Sequence, residues 1–227
     1  MCLIVLAWRA HPEHALIVAA NRDEFHARPA ARAAFWRDQP SLLAGRDLEA
    51  GGTWMGVSRS GRFAAVTNYK GGRDPAAKQS RGALVTNFLL NGSSSKAFID
   101  EIEATKHSYS GFNLLVADRD ELWCCGNRDG GSRRLEPGIY GLGNLLLDTP
   151  EVDEPKARFA RALDAPSIEP LFEVLAASKI LSPDYGTRCA TVLLLRGGDG
   201  GVCYAERSFD PGGNAGETVR FEFTAGS

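Results

Sequence analysis

Short apolar runs punctuated by turn residues set the rhythm of this chain. CLIVLAW (2–8) and ALIVAA (15–20) are β-type runs, and the proline and charges of Arg9-Ala10-His11-Pro12-Glu13-His14 between them predict a turn. The chain is therefore expected to open with a hairpin, with Asn21-Arg22-Asp23-Glu24-Phe25 leaving its second strand. TWMGVS and RFAAVTN flank Arg59-Ser60-Gly61, where glycine offers the positive φ that a hairpin turn needs. That second hairpin is predicted to end at Asn68.

After the Gly71–Pro75 loop, Ser80 is placed to cap a helix running to about Leu90, and Ser94 or Ser95 another to about Thr105. Strands resume at FNLLVAD and ELWCCG around an Arg119-Asp120 turn, then at GIYGLGN. Two helical stretches follow near 154–164 and 167–179, and the chain closes with TRCATVLLLR, GVCYAERSF and VRFEFTA as strands. About ten strands, with helices in two pairs between strand blocks, predict an α+β layered sandwich of mainly antiparallel sheets with helices on their faces.

The 227 residues suit a single domain spanning 1–227, long enough to close a substantial core. The 44% apolar and 24% charged fractions are ordinary for a folded soluble protein, and a net charge of −2 gives no reason to expect nucleic acid. A small-molecule partner is the expectation instead, with oligomeric state left open. The N-terminal apolar run has no basic residue before it, stops at Trp8 and meets Arg9, so neither a signal peptide nor an integral membrane segment is expected, and a cytoplasmic location is the default. The five cysteines lack C-x-x-C spacing and are expected to be reduced thiols. His11 and His14 form H-x-x-H, but Pro12 puts them in a turn, so no metal site is assigned.

The chemistry turns on Cys2. Once Met1 is removed, its thiol and a free α-amine share one carbon. The amine, with a reference pKa of about 7.7–8.0, can accept the thiol proton near neutral pH. A hairpin would return Asn21-Arg22-Asp23-Glu24 beside Cys2, where Asp23 can hold the amine and Arg22 can favour the thiolate. The competing reading is a surface ion pair at a strand end, worth about 0–1 kcal/mol. Asn68, Asn144 and Arg188 also end apolar strands. Asparagine amides at such rigid positions suit an oxyanion, although each is equally at home as a turn former or salt-bridge partner.

MC at the start, NRDE, TNYK, GLGN with LDTP, and YGTRC, in that order, resemble the NRDE family, named for transport and Golgi organisation in animals. That family in turn resembles the N-terminal nucleophile hydrolases, notably choloylglycine hydrolases and penicillin V acylases, which implies an αββα fold. By this resemblance Cys2 is the nucleophile and amine base, and Asp23 contacts the amine. Asn68 is the oxyanion asparagine, Asn144 positions amine or substrate, and Arg188 lies near the nucleophile. Asn21, Arg22, Trp54 and Tyr69 are the expected substrate contacts. Where the acylases carry Arg-Asn-x-Asp, this chain reads Ala20-Asn21-Arg22-Asp23.

Two functions are therefore open. One is hydrolysis of a small-molecule amide or thioester, with no cofactor required. The other, implied by the family's association with haem mobilisation and lipid or acyl-CoA homeostasis, is a non-catalytic carrier. It would use exposed Trp54, Trp36 and Tyr69, with Met55, a histidine or Cys2 as axial ligand to haem held non-covalently. The competing reading of those aromatics is core packing.

Overall fold

The computed structural model describes residues 2–71, 74–128 and 131–226. They form thirteen strands and four α-helices in two compact units. The first unit takes the chain through Arg28 and again over Pro137–Gly143 and Leu147–Ala225. Its strands are β1 (Leu3–Trp8), β2 (His14–Phe25), β10 (Gly138–Leu142), β11 (Tyr185–Arg196), β12 (Gly201–Phe209) and β13 (Ala215–Thr224). They lie in the order β10-β1-β2-β11-β12-β13, every neighbouring pair antiparallel.

Side chains alternate across a strand, so β1 sends Leu3, Val5 and Ala7 to one face, joined there by Ile17, Ala19, Ala190 and Val192. Helices α3 (Asp153–Ala162) and α4 (Ile168–Ala176) cover that face. Ile168, Leu171, Phe172 and Leu175 recur at helical spacing on α4 and supply most of its buried stripe.

The second unit takes Pro29–Glu136 with Asn144–Leu146. Its strands are β3 (Ala30–Phe35), β4 (Leu42–Asp47), β5 (Met55–Ser58), β6 (Phe63–Asn68), β7 (Phe112–Ala117), β8 (Leu122–Gly126) and β9 (Ser132–Leu135), antiparallel neighbours in chain order. Helices α1 (Arg81–Leu90) and α2 (Ser95–Thr105) intervene between β6 and β7. Both start as the sequence predicts: the Ser80 side chain accepts from the Gly82 N–H and that of Ser94 from the Ala97 N–H. Leu84, Val85, Phe88, Phe98 and Ile99 pack with Ala64, Leu114 and Val116 of the sheet.

The class is α+β, each unit an antiparallel sheet with a pair of helices on one face. The expected hairpins form, β1 with β2 and β5 with β6, the second turning through Gly61 at φ 81°. Of the expected Gly71–Pro75 loop, residues 72 and 73 lie outside the described residues. No helix among the described residues is long and apolar enough to cross a membrane.

Three expectations need correction. Strands β3, β4 and β9 were not expected: AARAAF and SRRL have weak β propensity, and pairing with a neighbouring strand overrides it. The Asn21–Phe25 segment does not leave β2 but continues it, because β11 pairs with it as far as Tyr185↔Phe25. Asn21, Arg22 and Asp23 are only 2%, 6% and 2% exposed, which removes the surface ion pair as their explanation. Trp36 and Met55 are core residues and not exposed; Trp36 donates its indole N–H to the Ala44 carbonyl at 3.0 Å.

Candidate functional site

The site in the first unit arises from a mismatch of strand lengths. β1 begins at Leu3, paired with Asn21, so beyond that point β2 has a strand partner only in β11. The Asp23 peptide groups meet the Cys2 sulfur instead: the Asp23 N–H donates to Sγ at 3.4 Å, and the thiol lies 3.5 Å from the Asp23 carbonyl. The Asp23 carbonyl also accepts from the Tyr185 hydroxyl at 3.0 Å. Tyr185 stands edge-on to Phe25 with ring centroids 5.3 Å apart.

Thr187 fixes the Asp23 carboxyl group. Its hydroxyl donates to Asp23 Oδ1 at 2.6 Å and accepts from the Ile180 N–H at 2.9 Å. Burial raises the Asp23 pKa above the usual carboxylate value, and the Thr187 hydrogen bond works in the opposite direction. Burial, followed by the nearby Asp23 charge, pushes the Cys2 thiol up to about 11, while the Asp23 N–H and the Arg22 guanidinium oppose the rise. Burial also raises Tyr185, with Cys2, Asp23 and Glu24 adding to it, so its hydroxyl remains a donor at neutral pH.

The other expected residues fall in different places. Asn21 is turned to the helices, where its amide donates to the Leu175 carbonyl of α4 at 3.0 Å. Arg22 is buried, with Nη2 3.8 Å from Glu24 Oε2. Arg188 occupies the bulge between Thr187 and Cys189, and its Nη1 donates to the carbonyls of Phe25, His26 and Arg28 at 2.8, 3.0 and 3.2 Å. Its guanidinium thereby clamps the chain as it leaves β2. His11 and His14 approach with Nδ1 atoms 3.1 Å apart in the first turn. Met1, whose removal the N-terminal chemistry requires, lies outside the described residues.

In the second unit Asn68 and Asn144 come together, with Asn144 Nδ2 donating to the Asn68 carbonyl at 2.6 Å and the Lys70 N–H to the Asn144 carbonyl at 2.7 Å. Tyr69 follows Asn68, its N–H bonded to the Gly111 carbonyl. Trp54 packs so closely on β4 that a Cβ at position 45 would sit 2.3 Å from its ring, which only glycine avoids.

Two residues that hold Asp23, Thr187 at its carboxyl group and Tyr185 at its carbonyl, were missed in the sequence. Both lie in the YGTRC segment, from which only the arginine drew attention. Glu206 was missed as well. It is 2% exposed, accepts from the Thr191 hydroxyl at 3.4 Å, and adds to the burial that raises the Cys189 thiol.

The bovine Transport and Golgi organization protein 2 homolog is 36% identical, over 98% of this chain and 99% of its own length. The human homolog is 35% identical over 99% of both. Among solved structures, the Caenorhabditis elegans N-acylethanolamine-hydrolyzing acid amidase ortholog aligns with a TM-score of 0.59, covering 85% of this chain and 92% of that one. At 13% identity that likeness is one of fold alone, and it is consistent with the expected α+β sandwich resembling the N-terminal nucleophile hydrolases. Residues 1–184 match the family described as Transport and Golgi organisation 2, and with full-length relatives at this level of identity the chain belongs to that family.

Proposed function

We propose that the protein is an N-terminal cysteine hydrolase acting on a small-molecule amide or thioester. The observation that carries this reading is the Cys2 sulfur seated on the Asp23 peptide group, 3.4 Å from its N–H, next to a buried carboxyl group that Thr187 orients. A thiol raised to about 11 stays protonated at neutral pH and is a poor nucleophile, so the chemistry needs a base beside it. Removal of Met1 supplies one, the Cys2 α-amine.

In the proposed reaction the amine takes the thiol proton and Sγ bonds to the substrate carbonyl carbon. Collapse of the tetrahedral adduct breaks the carbonyl–nitrogen or carbonyl–sulfur bond, and the ammonium returns its proton to the leaving group. Water then attacks the acyl thioester, with the same amine taking its proton, and releases the acid and free Cys2. The amidase fold of the worm protein supports this chemistry by analogy.

Intact-mass measurement first establishes whether the purified chain starts at Cys2. Turnover is then followed on a chromogenic acyl anilide and an acyl thioester. Wild type is expected to turn over one of them. Cys2→Ala is expected to fall to background while unfolding as cooperatively as wild type, and a Cys2→Ala variant of equal activity would reject the mechanism. A saturable Soret band on haem titration, unaffected by blocking Cys2 and without turnover of either substrate, would favour the carrier instead.

A further inference from the structure

Helices α1 and α2 are pinned together by Phe88 and Phe98, whose rings meet edge to face with centroids 5.2 Å apart. Beside that contact, residues of both helices line a cavity of about 390 Å³, at the lower end of the ~300–1,000 Å³ typical of small-molecule sites. Phe98, Ile102 and Tyr109, each no more than 5% exposed, give it a buried floor, and Leu90, 38% exposed, adds apolar surface. Every residue lining it belongs to the second unit, and none takes part in the reaction proposed for Cys2.

Three polar groups around that floor offer oxygen lone pairs. The Tyr109 hydroxyl gives its proton to Gln79 Oε1 at 2.6 Å, and the Thr105 hydroxyl gives its own to the Glu101 carbonyl at 3.1 Å, so each oxygen is left as an acceptor. Thr105 lies four residues beyond Glu101, on the same face of α2. The Glu101 carboxylate accepts only, and among the described residues lining the cavity it alone is charged at neutral pH. The lysines nearest in sequence pair elsewhere, Lys96 with Asp100 and Lys106 with Glu103. The Glu101 charge also reaches the floor: after burial, it is the second cause that raises the Tyr109 hydroxyl above its ordinary pKa.

We propose that this cleft binds a small organic cation, a primary ammonium on an apolar body. Its N–H groups are shared among the Glu101 carboxylate, Thr105 Oγ1 and Tyr109 Oη, and its body rests on Phe98, Ile102 and Leu90. An ammonium carries three donors and no acceptor, which matches three converging acceptors of which one is charged. An anion of the same shape would meet the Glu101 charge, and a neutral molecule would forgo the attraction.

Titration of the isotope-labelled full chain with benzylammonium chloride at neutral pH, followed by amide chemical shifts, tests the proposal. Saturable shifts are expected at Leu90, Ile102 and Tyr109 and their neighbours. Glu101→Gln keeps the shape of the side chain and removes its charge, and it is expected to weaken binding on the order of fivefold. Benzyl alcohol, the uncharged counterpart, should bind wild type more weakly than benzylammonium does, and benzoate more weakly still. Glu101 is exposed, and unchanged thermal unfolding of the variant confirms that the fold is kept. Shifts that never saturate or that fall away from the cleft would overturn the proposal. So would a Glu101→Gln variant that binds benzylammonium as tightly as wild type, or equal binding of the alcohol.

Discussion

Among the described residues the Cys2 thiol meets the Asp23 main chain, at its N–H and its carbonyl, and its state is sensitive to the charges near it. Burial and the Asp23 carboxylate raise it to about 11. Alkylation of Cys2 by iodoacetamide, followed by peptide mass spectrometry, is accordingly expected to be slow at neutral pH in the Met1-retaining chain. Its rate should climb toward a midpoint near that value, where a free cysteine would reach it at about 8.5. Asp23→Asn removes the second-largest cause of the rise and should move the midpoint down. A wild-type midpoint at the ordinary value, or one that Asp23→Asn leaves in place, contradicts this account. Because the folded-state pKa lies above the unfolded one, the thiol's contribution to stability is complete below about 8.5 and is lost as pH rises through about 11. Cys2 and Asp23 were legible in the sequence because an N-terminal thiol and an acidic strand end have a chemical meaning of their own. Thr187 was not, since its role exists only once the register sets it against Asp23, 164 residues away.

Strand β2 shows how an element can outrun the signal that identifies it. Asn21-Arg22-Asp23-Glu24 looks like a strand exit, because polar and charged residues usually mark the end of an apolar run. Pairing with β11 carries the strand five residues further than that pattern would, to Phe25, and the bulge at Arg188 lets β11 keep pace. Arg188 then ties the bulge to the turn after β2 through three carbonyls. Arg188→Met keeps the length of the side chain but removes these charge-assisted bonds, and it is expected to cost about 1–3 kcal/mol in urea unfolding. Faster amide hydrogen exchange at His26 and Arg28, with β12 unaffected, would place the loss at the turn; unchanged stability would show that the clamp contributes nothing. The helices were easier to read because Ser80 and Ser94 act locally on the first turn. β3 and β9 carry no such local mark and exist only through their neighbours.

The order of strands within each sheet was the least legible feature, and it has a kinetic consequence. In the second unit most neighbouring strands are also neighbours in sequence, β3 through β6 and then β7 through β9. In the first unit β2 pairs with β11, and Tyr185 meets Asp23 across 162 residues of chain. Closing a loop of that length, compared with a hairpin of about ten residues, costs roughly 2.5 kcal/mol more in chain entropy before the pairing returns anything. Contacts of low sequence separation form first when stabilities are similar. In refolding followed by pulsed hydrogen exchange, peptides from β4, β5, β7 and β8 should therefore gain protection before those from β2 and β11. The Cys2–Asp23 constellation, which needs β2 paired to β11 for its Thr187 contact, should appear only in the later phase. Simultaneous protection of both sets, or protection of β2 and β11 first, would mean that the long-range pairing is already present in the collapsed chain and that loop closure does not set the order.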